Sequence, residues 1–428
     1  MNYTKKQLGQ YIDVLSGFAF KSKDFTNVGI PVIKIKNINP PYVSLEDISC
    51  VPISVAYQNP KYILKRGDVL IAMTGSHINQ IASVVGRVGR VRYDDLTVLN
   101  QRVGKIINKN DEYSNLDYIY YFLSQYDVKV ELAQKAGGAA NQANISPSDI
   151  KNLYFPCPPI EIQNKIATIL SRYDSLIENY QKQIKLLEES AQHLYKEWFI
   201  DLRFPGHENT KIVDGVPKGW EKKPFGSIIG YEIGGGWGAD AKSSNEIIPA
   251  YVIRGTDIRD LNIGVWNELP YRFHQESNYR ARQLMHNDIV FEVSGGSKNE
   301  GVAKTYLVQQ ELLDKLGNQV ICASFCKLIR LKDSSIAYYV FDTLKEWRAS
   351  GITTQYDKRS ASSIVNYRWK DFLSQQEITV PNEIVLRDYI KKSELIHSSI
   401  IKISSQIRHL TEARDRLLPK LMSGEIKL

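Results

Sequence analysis

The chain has 428 residues, a length that predicts two or three domains rather than one. Hydrophobic residues make up 43% of it and charged residues 24%, which are ordinary globular values and exclude long disordered or fibrous segments. Lys and Arg outnumber Asp and Glu by 55 to 47, giving a formal net charge of +8. This modest excess is compatible with binding a polyanion but does not by itself identify one.

Several classes of protein are excluded by what the sequence lacks. No apolar run reaches the roughly 18 residues that a membrane-spanning helix needs, and the polar N-terminus has no apolar segment typical of a secretory signal. Four cysteines are too few for a disulfide framework, and Cys322 and Cys326 do not have the usual spacing of zinc ligands. We therefore expect a cytoplasmic protein that contacts no membrane and holds no metal or other cofactor.

The chain repeats itself. Residues 64–76 match residues 284–296, and residues 33–38 match residues 253–258, both with an offset of 220 positions. Two weaker pairs follow in the same order, at offsets of 222 and 223: residues 149–153 with 371–373, and residues 183–185 with 406–408. Four matching segments in one order predict a tandem duplication of a unit of about 220 residues.

Each copy begins with a region of mixed secondary structure. In the first copy, strand-like runs at residues 30–38, 69–73 and 98–107 alternate with Gly, Asn and Pro turns and with one helical stretch at residues 117–125. Prolines in residues 155–159 then end the last strand and allow a helix to start.

A long helix is predicted to follow in each copy. Residues 160–200 contain neither Gly nor Pro, and their apolar residues recur at steps of three and four with one stutter. The second copy has the same pattern after Pro381, with a polar position at Ser393 and a lost apolar position near Arg414. At ~1.5 Å per residue each helix would extend about 60 Å. Two separate surface helices are one interpretation, but so narrow an apolar stripe favours an antiparallel pair formed by the two copies.

Residues 39–42 read Asn-Pro-Pro-Tyr, which matches the catalytic loop of methyltransferases that modify adenine. Such an enzyme also needs a Gly-rich cofactor loop after a strand, and the Gly cluster at residues 234–238 lies almost 200 positions away, in the other copy. Residues 259–262, the equivalent in the second copy, keep nothing of the motif. We therefore interpret it as a proline-rich turn and expect no catalysis, with a solitary DNA adenine methyltransferase as the alternative.

Two segments of the first copy have the composition of nucleic-acid contacts. No acidic residue occurs between Asp68 and Asp94, and glycine, hydroxyl and Arg residues there suit phosphate binding. The candidates in this segment are Thr74, Gly75, Ser76, His77, Asn79, Gln80, Arg87, Arg90 and Arg92. Amides in the second segment can read adenine edges. Its candidates are Lys135, Asn141, Gln142 and Asn144. A plain surface hairpin and a loop without a ligand are the respective alternatives.

The second copy has polar segments at the corresponding places. The first contains the candidates Ser294, Gly295, Gly296, Ser297, Lys298 and Asn299. The second contains Gln355, Tyr356, Lys358 and Arg359. Framework residues are shared between the copies while these residues differ, as expected for two units that read different ligands. Divergence without function predicts the same difference.

Taken in order, these motifs resemble the DNA-specificity subunit of type I restriction-modification systems, over essentially the whole chain. The resemblance is carried by residues 29–35, 64–70, 74–76, 158–170, 198–206 and 417–426. One departure concerns the start of the second long helix, where residues 381–384 replace the Pro-Pro-x-x-x-Gln signature of the first copy.

The resemblance implies a mixed α/β fold. It comprises two globular target-recognition domains, related by pseudo-twofold symmetry and separated by two long antiparallel coiled-coil helices. The implied domains are a first recognition domain at residues 1–159, a spacer helix at 160–205, a linker with a second recognition domain at 206–380, and a second spacer helix with a tail at 381–428.

The resemblance also implies a function in binding. Each domain would read one half of an asymmetric bipartite sequence in double-stranded DNA, with phosphate contacts from Arg87, Arg90, Lys298 and Lys358. The helices would dock two methyltransferase subunits, and two restriction and translocase subunits could complete the complex. A complex that only methylates fits the sequence equally well. A coiled-coil scaffold without any DNA function is a further alternative.

Overall fold

The computed structural model describes residues 3–75, 84–136, 143–266, 269–295, 301–359 and 364–428. The chain divides into two compact units. Unit 1 consists of Met1–Leu176 together with Leu410–Leu428, and unit 2 consists of Ile177–His409. Both boundaries fall inside long helices. Unit 1 contains the start of the first long helix and the end of the second, and unit 2 contains the remaining part of each.

Unit 1 is built from short strands and from four short helices that precede a long one. Its strands are β1 (Lys5–Gln7), β2 (Ile12–Ser16), β3 (Ile30–Ile33), β4 (Ile38–Asn39), β5 (Tyr42–Val43), β6 (Ser49–Val51), β7 (Ile63–Leu64), β8 (Val69–Ala72), β9 (Thr74–Gly75), β10 (Val88–Arg90), β11 (Thr97–Leu99), β12 (Val103–Asn108), β13 (Ala143–Asn144) and β14 (Tyr154–Pro156). Its helices are α1 (Ile53–Tyr57), α2 (Leu116–Leu123), α3 (Tyr126–Lys135), α4 (Pro147–Lys151) and the first part of α5 (Ile160–Tyr195).

The main sheet of unit 1 has six strands in the order β2-β12-β8-β10-β5-β4. Strand β8 is fully buried because it lies inside this sheet, antiparallel to β12 on one side and to β10 on the other. A second sheet has the order β6-β3-β11-β7, and β1 pairs with β14 at the base of the long helix.

Helix α2 carries much of the unit 1 core. The Asn115 side chain accepts a hydrogen bond from the Tyr118 backbone N–H, which satisfies one free donor of the first turn. The helix packs against the start of α5, and Leu421 and Met422 from the C-terminal end of the chain are buried in the same cluster. The first and last segments of the sequence therefore close one core together.

Unit 2 is built from the same kinds of elements. Its strands are β15 (Ile212–Val213), β16 (Val216–Pro217), β17 (Glu221–Pro224), β18 (Ile229–Gly234), β19 (Ile248–Ile253), β20 (Tyr271–His274), β21 (Ile289–Glu292), β22 (Ser294–Gly295), β23 (Thr305–Leu307), β24 (Val320–Cys322), β25 (Cys326–Leu331), β26 (Asp357–Arg359), β27 (Val365–Tyr367) and β28 (Glu377–Val380). Its helices are α6 (Ile258–Asn262), α7 (Glu276–Arg282), α8 (Gln310–Lys315), α9 (Ala337–Ala349), α10 (Trp369–Gln375) and the first part of α11 (Glu383–Ser423).

Strand pairing in unit 2 repeats the pairing of unit 1. The order β18-β25-β21-β23 corresponds to β2-β12-β8-β10, and β19 lies parallel to β24 as β3 lies parallel to β11. Strands β17 and β28 pair as β1 and β14 do. The predicted duplication and the predicted mixed α/β class are therefore confirmed.

The two long helices are present where the apolar stripes predict them. Helix α5 has 36 residues and continues into a π-helical turn at Lys196–Ile200, and α11 has 41 residues. In unit 2 the Tyr195 and Trp198 rings near the end of α5 lie 6.2 and 5.8 Å from the Tyr389 ring near the start of α11. Glu188, earlier in α5, lines a pocket together with His397 and Ile400, later in α11, so the two helices are antiparallel within this unit. Within the described ranges, no helix has the length and apolarity required to cross a membrane.

Candidate nucleic-acid interface

In unit 1, strand pairing joins the two segments that the sequence analysis singles out. Strand β9 pairs antiparallel with β13, so that Thr74 lies opposite Asn144 and Gly75 opposite Ala143. We call this pair ladder 1. A Cβ atom on Gly75 would lie 2.8 Å from Val84 Cγ2 and 2.9 Å from the Val85 nitrogen, so the close packing of residues 84–85 against this strand requires glycine.

The candidate residues of unit 1 divide into described and undescribed ones. Thr74 is buried and Asn144 is exposed, at opposite positions of ladder 1. Six candidates lie outside the described residues: Ser76, His77, Asn79, Gln80, Asn141 and Gln142. The segments that contain them adjoin the two strands of ladder 1, at Gly75 and Ala143.

A local concentration of positive charge lies beside ladder 1. Burial, together with the nearby charge of Arg87, lowers the pKa of Lys129. A Cβ atom on Gly86 would lie 3.4 Å from Lys129 Cγ, which places α3 against the turn that carries Arg87. Two neighbouring cations favour binding of an anion such as phosphate, since an anion relieves their repulsion.

Arg90 does not have the environment of a phosphate contact, and this part of the prediction needs correction. Its side chain is 6% exposed and Nη2 lies 2.8 Å from Asp117 Oδ1. The guanidinium carbon lies 4.2 Å from the centre of the Tyr120 ring. Arg90 is therefore a buried structural cation that ties β10 to α2, and it could reach DNA only by leaving these partners.

Two other predicted cations have partners at the surface. Arg92 is half-buried, with its guanidinium 5.9 Å from the Tyr42 ring centre, and its carbonyl oxygen accepts a hydrogen bond from Arg66. Lys135 Nζ lies 2.6 Å from Glu131 Oε1, one helical turn earlier in α3. Exposed ion pairs of this kind contribute little free energy, so Lys135 can leave Glu131 and bind a phosphate instead.

The Asn-Pro-Pro-Tyr motif forms the turn between β4 and β5, with Asn39 opposite Tyr42. The Pro41 carbonyl accepts hydrogen bonds from the Arg90 backbone N–H at 3.0 Å and from the Tyr120 hydroxyl at 3.1 Å. Burial raises the pKa of Tyr120 to about 12, so this hydroxyl keeps its proton and donates it. The interpretation of the motif as a proline-rich turn is confirmed.

Unit 2 contains the equivalent ladder with one additional strand. Strand β22 pairs with β27, which also pairs with β26, and we call this set ladder 2. The Ser294 hydroxyl donates to Asn366 Oδ1 at 2.9 Å across it. Gly295 has a φ of 118°, a conformation that strongly favours glycine. The candidates Gly296, Ser297, Lys298 and Asn299 lie outside the described residues.

Tyr356 is the second predicted contact that the structure corrects. It is 7% exposed and belongs to the aromatic core of unit 2, with its ring 5.2 Å from that of Phe372. Gln355 and Lys358 are exposed, and Lys358 lies opposite Asn366 in ladder 2. Arg359 pairs with Val365 through its backbone. Gln355 and Lys358 therefore have the exposure that DNA contacts require.

A buried carboxylate lies next to ladder 2, where a Cβ atom on Gly295 would be 3.6 Å from Glu292 Oε1. Glu292 is 2% exposed, and burial raises its pKa even though Lys304 Nζ lies 3.6 Å from its Oε1. A Cβ atom on Gly255 would lie 2.3 Å from the same Oε1 atom, so Gly255 makes room for this side chain. In the described part of the chain, no group of three or more His, Cys, Asp or Glu residues is arranged to hold a metal ion.

Two turns that the sequence analysis did not single out lie directly beside the ladders. The Met73 backbone N–H donates to the Arg102 carbonyl at 3.0 Å in unit 1, and the Val293 N–H donates to the Phe325 carbonyl at 2.9 Å in unit 2. Both Arg102 and Phe325 are exposed. The two residues are 223 positions apart, which is the repeat offset and could have marked them as equivalent. Neither residue lies in a polar segment like those that contain the other candidates.

Comparison with known proteins finds similarity to one class of protein. The profile of the family described as "Type I restriction modification DNA specificity domain" matches residues 1–189. The type I restriction enzyme MjaIX specificity subunit of Methanocaldococcus jannaschii is 28% identical over 349 residues, which are 77% of this chain and 73% of that protein. The EcoBI specificity subunit of Escherichia coli is 23% identical over 315 residues, 68% of this chain and 60% of that protein.

A solved structure shows the same fold. It is the crystal structure of a type I restriction-modification system S subunit from M. genitalium, with a TM-score of 0.57 at 16% identity, covering 99% of this chain and 96% of that one. The duplicated fold, the paired ladders and the family match define a protein that recognises specific DNA sequences. The chain therefore resembles the specificity subunits of type I restriction-modification systems, in sequence over residues 1–189 and in fold along its length.

Proposed function

We propose that each unit reads one half of an asymmetric bipartite sequence in double-stranded DNA, through its own ladder and the segments adjoining it. The observation that carries this proposal is that the same strand pairing occurs in both units, with a hydroxyl residue opposite an asparagine in each, while the segments that adjoin it differ in sequence. Thr74 and Asn144 stand opposite one another in ladder 1, and Ser294 and Asn366 in ladder 2. A shared frame whose adjoining segments differ, residues 76–80 in one unit and 296–300 in the other, suits two different base sequences.

Affinity and sequence choice come from different residues in this proposal. Arg87, Lys358 and, from the undescribed part, Lys298 neutralise phosphates and set the salt dependence of binding. Amide and hydroxyl groups on the ladders and on the segments that adjoin them set sequence preference, at ~1–3 kcal/mol for each good bidentate base contact. The long helices hold the two recognition domains, residues 1–159 and 206–380, at a fixed spacing and thereby define the gap of unspecified bases.

The chain itself performs no chemistry in this proposal. It recruits two methyltransferase subunits to its helices, and two restriction and translocase subunits complete a complex that works in the cytoplasm, where the DNA is. Support for docking on the helices comes from large apolar side chains that unit 2 leaves exposed there. They are Leu186 on α5, 61% exposed, and Ile384 and Leu395 on α11, 74% and 67% exposed.

The experiment that tests this proposal changes the helices and leaves the ladders intact. About four residues, one helical turn, are inserted at the same level in α5 and α11, and methylated bases are mapped in a host that expresses the variant with its methyltransferase. We expect a longer gap between two unchanged half-sites. Changed half-sites with an unchanged gap would contradict the proposal.

Two alternative functions make different predictions for the purified chain. A solitary adenine methyltransferase would bind S-adenosylmethionine, and calorimetry detects that binding directly. A coiled-coil scaffold would show no salt-dependent affinity for duplex DNA. The Asn-Pro-Pro-Tyr motif does not favour the methyltransferase, because Asn39 and Tyr42 lie in a β-turn whose Pro41 carbonyl is hydrogen-bonded to Arg90 and Tyr120.

A further inference from the structure

A tight turn in unit 2 presents an exposed phenylalanine. Strand β24 ends at Cys322 and β25 starts at Cys326, and the Cys326 N–H donates to the Ala323 carbonyl at 2.8 Å. Both cysteines are fully buried, but Phe325 is 53% exposed. A side chain of this size gains about 1.5–3 kcal/mol from full burial, so leaving it exposed at a fixed turn forgoes much of that gain.

The turn is held in place by the glycine-rich segment that precedes it in the sequence. The Gly235 N–H donates to the Cys326 carbonyl at 2.8 Å, and the Gly236 N–H donates to the Cys322 carbonyl at 2.9 Å. A Cβ atom on Gly235 would lie 2.1 Å from the Ala323 oxygen, so no other residue fits there. The glycine cluster therefore has a structural role, which is to clamp the turn that carries Phe325.

Phe325 adjoins ladder 2. Its carbonyl accepts hydrogen bonds from the Val293 and Ser294 N–H groups, at 2.9 and 3.2 Å, and Ser294 is the first residue of β22. The backbone of Phe325 therefore lies beside β22, the strand that carries Ser294.

Unit 1 has the same turn with a different residue at its tip. The Gly17 N–H donates to the Val103 carbonyl at 3.0 Å, and a Cβ atom on Gly17 would lie 2.2 Å from the Asn100 oxygen. The Met73 N–H donates to the Arg102 carbonyl at 3.0 Å, and Arg102 is exposed. Each unit therefore has a glycine-clamped turn whose exposed tip adjoins its ladder, with Arg in one unit and Phe in the other.

We propose that the tip residue of this turn contacts DNA in each unit: Phe325 packs against the methyl group of a thymine in the half-site that unit 2 reads, and Arg102 binds a phosphate of the other half-site. This inference rests on the proposed function. A phenyl ring has no hydrogen-bonding group, and the thymine methyl is the apolar feature of a base edge in the major groove. A guanidinium suits a phosphate oxygen.

The test for Phe325 compares thymine with uracil, which lacks the methyl group. The full chain with its methyltransferase is titrated onto short fluorescent duplexes that carry the motif found by methylation mapping, with each thymine of the half-site replaced in turn by uracil. We expect one replacement to weaken wild-type binding about fourfold, the effect of about 0.8 kcal/mol for one buried methyl-sized group. F325A should bind the thymine duplex about fourfold more weakly or worse, and should not distinguish uracil at that position.

The matched control is I212A, because Ile212 is 55% exposed on the β15–β16 hairpin of the same unit. It should bind and discriminate like wild type. Neither variant removes a core side chain, so both should melt at the wild-type temperature. The corresponding test for Arg102 is R102A, which should lower the slope of log affinity against log salt concentration by about one and leave the motif unchanged.

The proposal for Phe325 is overturned if F325A binds within about twofold of wild type, if it weakens binding to thymine and uracil duplexes equally at every position, or if wild type discriminates at no thymine. An unchanged salt slope in R102A overturns the proposal for Arg102. Failure of the proposed function gives a different result, because wild type would then show no preference for the mapped motif over unrelated duplex.

Discussion

In each unit a buried hydrogen-bonded cluster joins a long helix to the globular domain. The two clusters differ in which side supplies the carboxylate and which side supplies its partners. In unit 2, Asp342 on α9 accepts hydrogen bonds from Tyr389 at 2.7 Å and Ser393 at 2.6 Å, both on α11, and its Oδ1 lies 2.9 Å from His397 Nε2. We call this set cluster 2. The carboxylate is on the globular domain and its partners are on the helix.

In unit 1 the carboxylate is on the helix. Asp174 on α5 accepts a hydrogen bond from the Tyr121 hydroxyl on α2 at 2.6 Å and pairs with Arg414 on α11 at 2.8 Å. We call this set cluster 1. Asp342 stands 221 positions after Tyr121, and His397 stands 223 positions after Asp174, so acid and partner have exchanged places between the copies. What the duplication preserves is a satisfied buried cluster at the junction, rather than particular residues.

The largest expected effect is that of D342A. It leaves three polar groups of α11 buried without their acceptor, which should lower the free energy of unfolding by ~3–5 kcal/mol. All six tryptophans lie between residues 198 and 369, inside unit 2, so tryptophan fluorescence during urea denaturation reports on this unit. The control is D388A, which removes a carboxylate 45% exposed on α11 and should cost less than about 1 kcal/mol. Equal losses in the two variants would show that cluster 2 does not fasten the helix.

A smaller loss, ~2–4 kcal/mol, is expected for D174A. Arg414 keeps a second partner, because its Nη2 lies 2.8 Å from Asp415 Oδ1, and its side chain is 14% exposed. Far-ultraviolet circular dichroism should show earlier unfolding while the tryptophan transition stays near its wild-type midpoint. A tryptophan transition displaced as far as in D342A would mean that the two clusters do not stabilise separate units.

The pH dependence of unit 2 should follow from Asp342. Burial acts to raise its pKa, but the charge and hydrogen bonds of His397 and the hydrogen bond of Ser393 outweigh it and hold the pKa below the ordinary value of 3.8. A depressed pKa stabilises the fold above the pKa of the unfolded chain, and this stabilisation is lost as the pH falls through the folded value. The gap in unfolding free energy between wild type and D342N should therefore narrow below about pH 4. A gap that stays constant from about pH 6 to about pH 3 would contradict this.

The smallest effect is expected for R90L, which gives unit 1 the residue that unit 2 has at the equivalent position. Arg90 lies opposite Val69 in the sheet, and the residue opposite Ile289, the equivalent of Val69, is the buried Leu307. The partner of Arg90, Asp117, is 44% exposed, so water can solvate its carboxylate once the guanidinium is removed, and we expect a change within about 1 kcal/mol. The salt dependence of DNA binding should also be unchanged, whereas K358A should lower its slope by about one. A lower slope in R90L would restore Arg90 as a phosphate contact.

The clusters also explain the two irregularities in the second apolar stripe. Ser393 and Arg414 interrupt it because both side chains are members of buried clusters. The stripe predicts the helix, since helical periodicity is a local property of the sequence. The partners Asp342 and Asp174 lie 51 and 240 positions away from these residues, and no local pattern marks a contact over such a distance.

The ladders were predictable to a similar degree. Glycine and polar residues marked Thr74, Gly75 and Asn144 as candidates, but the pairing of the two segments depends on residues distant in sequence. Composition alone also could not distinguish the buried Arg90 and Tyr356 from exposed contacts such as Lys358, because burial is decided by residues distant in sequence. The burial of Leu421 and Met422 in the unit 1 core was not anticipated for the same reason.

Whether each unit reads its own half-site can be tested by replacing residues in unit 2 only. Residues 296–299 and Lys358 are replaced by alanine, and modified bases are sequenced from a host that expresses this variant, or wild type, with the methyltransferase. Wild type should yield two defined blocks of bases separated by unspecified ones, and the variant should alter or relax one block while the other block and the gap stay the same. An uninterrupted wild-type motif, or a variant that changes both blocks together, would show that the units do not read separate half-sites.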